Sequence, residues 1–189
     1  MAGSRSCRNS PGFGGGRAGG VGCVICHRND MFTDELFHVT GMPQIGRGLG
    51  DGTTGTDDFG RFRVTENEND KYAFRTPSLL NVTETGPWGH AGAYTSLEAV
   101  VRHHLDPQAA FDNYDVYQLD QLEASIRDSG QTLDIQLNTQ NALDKLAANR
   151  LAGIPSIQNA TLTDEQVGYL LAFLQTLTDP CVTDRTCLA

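Results

Sequence analysis

Five consecutive residues near the amino end, Cys23-Val24-Ile25-Cys26-His27, constrain this chain more than any other stretch. Two thiols three positions apart, followed directly by an imidazole, form the attachment motif of a c-type haem. Each sulfur can form a thioether with one vinyl-derived carbon of the porphyrin, and His27 then reaches the iron as the proximal ligand. The sequence therefore predicts one covalently bound haem, held by Cys23, Cys26 and His27.

Zinc binding and thiol redox chemistry are the two alternatives for this motif. A zinc site needs a second Cys or His pair at ligand spacing, and the sequence has none. A thioredoxin-like Cys-x-x-Cys follows a strand in a βαβ pattern, which is also missing here. The haem site is therefore the stronger interpretation.

Composition limits the partners of such a domain. The chain has 189 residues, enough for one domain with a core of its own. Its net charge of −9 argues against nucleic acid and anionic membrane surfaces, because a phosphate-rich surface would repel it. A charged partner should instead present a basic surface. No apolar run approaches the roughly 18 residues that would predict a membrane span.

The cysteines and the amino end bear on localisation. Haem c is attached outside the bacterial cytoplasm, so we expect a periplasmic or extracellular protein. Residues 1–19 are rich in Gly, Ser and Arg and lack the apolar run of an export signal; they are predicted to be disordered or not native, with the haem domain over 20–189.

Cys181 and Cys187 are close enough in sequence to form a disulfide, or they are free thiols.

The clearest helix signal is the segment TSLEAVVRHHL, for which Thr95 and Glu98 predict a capping box. One face of this helix carries Leu97, Val100, Val101 and His104. His104 is therefore expected to point inward with the apolar residues. His103 is rotated by roughly 100° from it and is expected at the rim.

The remaining pattern is also helical. Short helices are predicted near 119–127 and 138–150, and a longer one from Asp164 to about Leu177, capped by Thr163 with Gln166. Residues 31–71 show no sustained period and are predicted to wrap irregularly around one haem edge. The predicted fold class is all-α, a cytochrome c-like haem domain with long irregular loops.

An iron bound by His27 has one further axial position. The side chains with a suitable nitrogen or sulfur are Met31, Met42, His38, His90, His103 and His104. Met31 is too close to His27 in sequence to reach the opposite face, while His38 and Met42 are better explained as packing or rim residues. His104 is the candidate that helical phase aims inward. If a side chain occupies this axial position, we expect electron relay. If the position is open, the iron can bind a substrate and catalysis is permitted.

Three blocks of the sequence together resemble the C-terminal haem domain of bacterial di-haem cytochrome c peroxidases and MauG-type enzymes. They are CVICH, FRTPSLLNVTETGPWGHAGAYTSLEAVVRHH and LTDEQVGYLLAFLQTLTDP. The resemblance implies a mostly α, cytochrome c-like fold in a protein with two haem domains and a calcium ion at their interface. In that family the N-terminal haem reacts with hydrogen peroxide, and the C-terminal haem accepts electrons and passes them inward.

The resemblance also implies roles for single residues. His104 stands where the peroxidases have a distal Met and the MauG group a Tyr, so its identity departs from both. Thr85 and Pro87 match the pair whose backbone carbonyls bind calcium, a cation that prefers oxygen donors. His90 matches a histidine near the interface between the two haems, and a hydrogen bond to a propionate or to the backbone is its alternative role.

Two further matches are weaker. Arg75 could pair with a haem propionate, or it is a surface arginine. Trp88 resembles an aromatic residue near the seam between the two domains, although core packing alone would explain it.

A single Cys-x-x-Cys-His indicates that the peroxide-reacting domain is absent from this chain, so we expect a redox partner protein or a second haem domain, in an oligomer or larger complex. The leading expectation is an electron-transfer domain that relays electrons for hydrogen peroxide reduction. One alternative is a stand-alone mono-haem peroxidase in which His104 dissociates on reduction and His103 or His90 acts as general acid or base. Another is a haem-based sensor or gas-binding module. Whether the chain is itself an enzyme is therefore left open.

Overall fold

The computed structural model describes residues 21–46, 48–119 and 134–188. Its strands are β1 (Phe37–Val39) and β2 (Ala73–Arg75), and its α-helices are α1 (Phe62–Thr65), α2 (Leu97–Leu105), α3 (Pro107–Asp112), α4 (Ile135–Leu151), α5 (Asp164–Gln175) and α6 (Pro180–Thr183). Single 3-10 turns occur at Cys23–Ile25, Glu68–Asp70, Val82–Glu84, His90–Gly92, Val116–Gln118 and Arg185–Leu188. The predictions for 1–19 and for nearly all of 119–127 lie outside the described residues.

Helix α2 confirms the strongest helix prediction but corrects its cap. The side chain of Ser96, not of Thr95, accepts the hydrogen bond from the backbone N–H of Ala99. The hydroxyl of Thr95 instead bonds to the side chain of Gln118. The helix ends at Leu105, and the next residue, Asp106, has the extended conformation that a following proline favours.

Helices α4 and α5 also confirm their predictions. Helix α4 extends beyond the predicted 138–150 by three residues at its start and one at its end. Helix α5 begins with the predicted capping box, in which Thr163 and Gln166 each bond to the other's backbone N–H. Its buried residues are Val167, Leu170 and Leu174.

The segment 31–71 is irregular over most of its length, as predicted, but it also contains short regular elements. This segment contains β1, α1 and the turn Glu68–Asp70. Strand β1 pairs antiparallel with β2, with Phe37 opposite Arg75 and Val39 opposite Ala73. The regular secondary structure of the described residues is therefore chiefly helical with a small β-ribbon, rather than strictly all-α.

The chain divides into two compact units, each described by itself. The first consists of the described residues within 1–36, 76–86 and 160–189. In it, Asn81 links the turn Val82–Glu84 to the end of α5, because its N–H donates to Leu177 O at 3.0 Å and its side-chain oxygen accepts from Asp179 N at 2.7 Å. The hydroxyl of Thr33 donates to Thr76 O at 2.7 Å and joins two further segments of this unit.

The second unit consists of 37–75 and 87–159 without the undescribed residues. One buried cluster lies between the β-ribbon and α4 and contains Val39, Tyr72, Ala73, Ala142 and Leu146. A second cluster contains Met42, Ala93, Tyr94 and Val100, and so packs against the start of α2. None of the helices in the described ranges has the length and hydropathy that crossing a lipid bilayer requires.

Candidate functional site

The haem motif forms one tight turn. Cys23–Ile25 is a 3-10 turn that follows Gly22, whose φ of 78° is a left-handed conformation that glycine adopts without steric cost. The N–H of His27 donates to Cys23 O at 2.8 Å. The turn and this hydrogen bond together hold the backbone from Cys23 to His27 in a compact conformation.

The side chain of His27 is in a suitable state for binding a metal. Its Nδ1 lies 3.0 Å from the carbonyl oxygen of Phe32. Because a carbonyl only accepts, Nδ1 carries the proton in this bond and Nε2 carries the lone pair. Such a hydrogen bond fixes the tautomer and the ring orientation of a metal-ligating histidine.

Contacts within the same unit position the carbonyl group of Phe32. Its ring packs edge-on against Phe173 of α5, with centroids 6.1 Å apart. The backbone N–H of the next residue, Thr33, donates to Arg28 O at 3.0 Å and closes the loop after the motif. Helix α5 therefore supports the orientation of His27 through Phe32.

The two motif cysteines are partly buried free thiols. Burial raises the pKa of Cys23 to about 11, and burial also raises the pKa of Cys26. A thioredoxin-like cysteine has a lowered pKa, so this result argues against the thiol redox alternative. Haem c requires two thiols that can form thioethers with the porphyrin and a histidine whose lone pair can bind iron, so the residues present fit that group.

His103 is the residue for which helical phase gives the wrong prediction. It is fully buried rather than at the rim, with an exposed fraction of 0%. Its Nδ1 lies 2.8 Å from the hydroxyl of Tyr94, and its Nε2 lies 2.9 Å from Thr40 O. The segments that carry these two partners cover the side of α2 that the sequence pattern assigned to the outside. Burial lowers the pKa of His103 to about 3, so its imidazole is neutral at physiological pH.

His104 is half-buried on the neighbouring face of α2. Its Nδ1 lies 2.8 Å from Val100 O, one turn earlier in the same helix, so Nε2 carries the lone pair. Nε2 has no hydrogen-bond partner among the residues that the structure describes. Burial lowers the pKa of His104, which keeps the ring in the neutral form that a ligand needs.

His90 belongs to a separate cluster in the second unit. Its Nε2 lies 3.0 Å from Oδ2 of Asp58, and its ring stacks on Phe74 with centroids 3.6 Å apart. Burial by itself would raise the pKa of Asp58, but the hydrogen bonds from His90 and from the N–H of Gly60 leave it lowered. Asp58 therefore stays ionised and orients His90.

The other candidate axial ligands have different surroundings. Met42 is buried in the cluster around Tyr94, which confirms its packing role, and Met31 is exposed. His38 lies in strand β1 opposite Phe74.

The residues that the family resemblance singled out lie at the surface or near it. Arg75 is exposed at the end of β2, and Trp88 is half-buried with backbone hydrogen bonds to Tyr94 in both directions. Thr85 and Pro87 are both exposed. Three roles therefore stay predictions: the pairing of Arg75 with a propionate, the place of Trp88 near a domain seam, and calcium binding by Thr85 and Pro87.

The terminal cysteines are free thiols in the structure. The Cys181 thiol donates a hydrogen bond to Cys187, and this raises the pKa of Cys181 to about 11. The structure therefore has the thiol form of the two alternatives that the sequence left open.

Sequence reasoning missed Tyr94 and the adjacent carboxylates of Asp57 and Asp58. Both carboxylates are buried, and Asp57 accepts a hydrogen bond from the hydroxyl of Tyr72 at 2.7 Å. Two acidic residues in a Gly-rich stretch are typical of an exposed loop, so the pattern gave no sign of burial. Tyr94 lies just before the helix signal, where no periodicity reports on its environment.

These features are typical of one class of protein, the c-type haem domains: helices are the chief regular structure, and a tight turn contains the Cys-x-x-Cys-His motif. No family model matches the chain. It is 38% identical over 87 residues to the methylamine utilization protein MauG of Methylorubrum extorquens. This aligned region covers 46% of this chain and 22% of that protein. It is 30% identical over 103 residues to cytochrome-c peroxidase IdrP1 of a Pseudomonas species, strain SCT, covering 44% of this chain and 27% of that protein.

A third relative is the cytochrome c551 peroxidase of Pseudomonas aeruginosa, 30% identical over 80 residues, with 42% of this chain and 22% of that protein covered. The chain is thus homologous to MauG proteins and cytochrome c peroxidases over somewhat less than half its length, which confirms the resemblance to the di-haem peroxidase and MauG family. It spans about a quarter of the length of these relatives.

A solved structure supports the fold. The crystal structure of a MauG-like protein associated with microbial copper homeostasis matches with a TM-score of 0.50 and 23% sequence identity. The match covers 84% of this chain and 43% of that one. This similarity fits a cytochrome c-like fold for the helical chain described here.

Proposed function

We propose that the chain is a c-type haem electron-transfer domain of a MauG-like or cytochrome c peroxidase-like protein, relaying electrons for hydrogen peroxide reduction. The hydrogen bond from His27 Nδ1 to Phe32 O is the observation that carries this proposal, because a histidine that donates through Nδ1 has its lone pair on Nε2, as a metal-ligating histidine does. In this proposal the haem domain extends over 20–189.

Haem c, when bound, supplies a one-electron Fe(III)/Fe(II) couple. Cys23 and Cys26 hold it covalently, and His27 is the proximal ligand. His104 is our candidate for the distal ligand. Its support is the neutral, correctly protonated imidazole, whose Nδ1 proton is held by Val100 O.

A histidine at the distal position would decide between relay and catalysis. With His104 as a second protein ligand beside His27, the iron would be closed to peroxide and gases. Such a domain would exchange electrons with a partner and would bind no small substrate itself. A second histidine also leaves the reduction potential lower than a methionine would.

The proposed partner is a second haem domain or a redox protein with a basic surface. The net charge of −9 supports this, since complementary charge speeds association between redox partners. We also propose a periplasmic or extracellular location. Calcium binding through the carbonyls of Thr85 and Pro87, and a propionate contact for Arg75, belong to the same proposal.

A stand-alone peroxidase is the second candidate, and the pair His90–Asp58 favours it. A histidine oriented by a buried, ionised carboxylate is a common form of general acid–base group. His103 is a weaker candidate for that role, because both of its nitrogens are already bonded inside the fold. Electron relay requires His104 to stay bound to the iron, whereas a stand-alone peroxidase requires it to dissociate.

Electron paramagnetic resonance of the oxidised, haem-loaded protein tests the proposal. We expect a low-spin signal typical of two histidine ligands in the wild type. His104→Ala should convert it to high-spin, and His104→Met should keep it low-spin with a higher reduction potential. A high-spin wild type with peroxide turnover would favour the stand-alone peroxidase, and an unchanged spectrum in His104→Ala would exclude His104 as ligand. Haem content measured on each variant separates ligand loss from failed assembly.

A further inference from the structure

Two thiols lie side by side in the segment that follows α5. Cys181 belongs to α6 and Cys187 to the turn Arg185–Leu188, and both are free in the structure. The Cys181 thiol donates a hydrogen bond to the sulfur of Cys187. A thiol is only a weak donor, so this bond places the two sulfurs next to each other without holding them strongly.

Backbone hydrogen bonds keep this pair in place within the first unit. Asp179 N donates to Asn81 Oδ1 at 2.7 Å, and Cys181 N donates to Asp179 Oδ1 at 2.8 Å. Asp184 lies between the two cysteines, and its N–H at 2.9 Å and its carbonyl at 3.2 Å both form hydrogen bonds within the segment 180–187. Because this backbone already turns back on itself, joining the sulfurs needs little further ordering of the chain.

The two thiols differ in their access to reagents. Cys187 is exposed, whereas Cys181 is half-buried. Thiol–disulfide exchange begins when an accessible thiolate attacks a disulfide sulfur, so the exposed thiol is expected to react first. We propose that Cys181 and Cys187 form a reversible dithiol–disulfide couple, in which Cys187 attacks a disulfide-bearing molecule and Cys181 then closes the intramolecular bond.

The hydrogen bond between the thiols supports this order of reaction. Donation from Cys181 stabilises a negative charge on the sulfur of Cys187. The same bond is the main cause of the raised pKa of Cys181, which therefore keeps its proton while Cys187 is free. Once Cys187 is bonded to another sulfur, it can no longer carry that charge, and the main cause of the raised pKa is removed. Cys181 can then lose its proton and attack.

Atoms and electrons balance in two exchange steps. In the first, the thiolate of Cys187 attacks one sulfur of the small disulfide, the disulfide bond breaks, and one thiol leaves with the proton that Cys187 lost. In the second, Cys181 attacks the sulfur of Cys187, and the second thiol leaves with the proton of Cys181. Two electrons pass from the protein dithiol to the small disulfide, which is reduced to two thiols.

This couple is separate from the haem motif. Cys23 and Cys26 become thioethers when haem c is attached, and thioethers do not exchange with disulfides. Disulfides form in oxidising compartments, of which the periplasm proposed above is one. The couple requires no particular ligand on the iron, so a negative result here would leave the electron-transfer proposal unaffected.

Peptide mapping of the haem-loaded protein tests whether the bond forms. The protein is reduced, equilibrated with glutathione disulfide, alkylated with iodoacetamide and digested with trypsin, in a Cys7→Ser background that removes the remaining thiol. Trypsin cleaves after Arg185 and so places the two cysteines on different peptides. We expect these peptides to be linked by a disulfide that dithiothreitol reverses. Two alkylated cysteines, or lasting glutathione adducts in place of the link, would overturn the couple.

The order of reaction is tested in the same background. A brief pulse of limiting iodoacetamide on the reduced protein should alkylate Cys187 several-fold faster than Cys181, because its sulfur is more accessible. Equal rates, or faster alkylation of Cys181, would overturn the assignment of the attacking thiol. Cys181→Ser should accumulate a lasting glutathione adduct at Cys187, since no second thiol can displace it. A Cys181→Ser variant that keeps the parent haem spectrum but gains no adduct would also overturn it.

Discussion

The imidazole of His90 lies nearly flat on the ring of Phe74, at an angle of 23° and with the ring centroids 3.6 Å apart. The same imidazole is held at Nε2 by the buried carboxylate of Asp58, at 3.0 Å. Stacking and the hydrogen bond together leave the ring little freedom. His90 is therefore oriented before any partner or substrate arrives.

Replacing Asp58 by Asn removes the charge that orients His90 and preserves the size of the side chain. We expect the free energy of unfolding at neutral pH to fall by roughly 1–3 kcal/mol, the cost of a buried hydrogen bond to a charged group. The folded-state pKa of Asp58 is lowered, so its contribution is present above the ordinary carboxyl pKa and is lost as the pH falls through the folded value. Urea unfolding at neutral and acidic pH should show a difference from wild type that shrinks in acid.

Asp70→Asn is the matched control for that experiment. Asp70 forms a partly exposed ion pair with Arg61 at 3.3 Å, so its loss should change stability by less than about 1 kcal/mol. If Asp58→Asn is no more destabilising than Asp70→Asn, the pair His90–Asp58 has no special strength.

Replacing Phe173 by Leu removes the edge-on contact that supports the Phe32 carbonyl. We expect a loss of roughly 0.5–1.5 kcal/mol in the free energy of unfolding, the usual value of an aromatic pair beyond its buried area. Thermal unfolding of the haem-loaded protein measures it. Tyr169→Leu, an exposed change in the same helix, is the control and should stay within about 0.5 kcal/mol of wild type. Equal effects of the two changes would show that the aromatic contact contributes nothing.

Gly60 cannot accept a side chain without strain. Its φ is 58°, and a Cβ there would lie 2.6 Å from Ala73 O and 3.1 Å from a ring carbon of Phe74. Gly60→Ala should therefore destabilise the protein by roughly 1–3 kcal/mol. Gly55→Ala, at a similar φ of 70° but with open space, should cost only about 1 kcal/mol. Denaturant midpoints compare them, and equal costs would mean that the close contact at Gly60 is relieved by movement.

At Gly168, unlike at Gly60, there is room for a side chain. It lies inside α5 at an exposed position, where a Cβ would meet no neighbouring atom within 4 Å among the described residues. Gly168→Ala should raise the free energy of unfolding by roughly 0.5–1 kcal/mol, because alanine loses less backbone entropy in a helix. A lower thermal midpoint than wild type would contradict this expectation.

The cap of α5 is testable in the same way. Thr163→Ala removes the hydroxyl that accepts from Gln166 N and should cost about 1 kcal/mol in the free energy of unfolding. Thr163→Ser keeps the hydroxyl and should stay close to wild type in chemical denaturation. An alanine variant as stable as the serine variant would show that the capping bond is not a source of stability.

Local rules predicted the elements that depend on local interactions. The capping box at Thr163 and the helix stop before Pro107 are set by residues a few positions apart, and both are confirmed. Strands β1 and β2 escaped prediction because each has three residues, too few for a period of two to be recognised. Their pairing is stabilised by contacts between segments about 36 residues apart, which no local pattern reports.

In the candidate site, too, local features could be predicted and features that depend on tertiary packing could not. The turn at Cys23–Ile25 and helix α2 could be predicted, but the burial of His103 could not. Helical phase says which residues share a face, and it does not say which neighbouring segments will cover that face. The covering segments carry Thr40 and Tyr94, whose positions depend on tertiary packing. Asp58 became a partner of His90 for the same reason.

The imidazole of His103 is bonded at both ends, and this ties three stretches of backbone to one side chain. An apolar replacement of equal shape would strand the Tyr94 hydroxyl and the Thr40 carbonyl together, at roughly 1–3 kcal/mol for each unsatisfied group. Position 103 therefore tolerates few residue types unless position 94 changes with it. His104 can therefore be substituted while His103 is left unchanged, because the two hydrogen bonds of His103 still hold helix α2 in place.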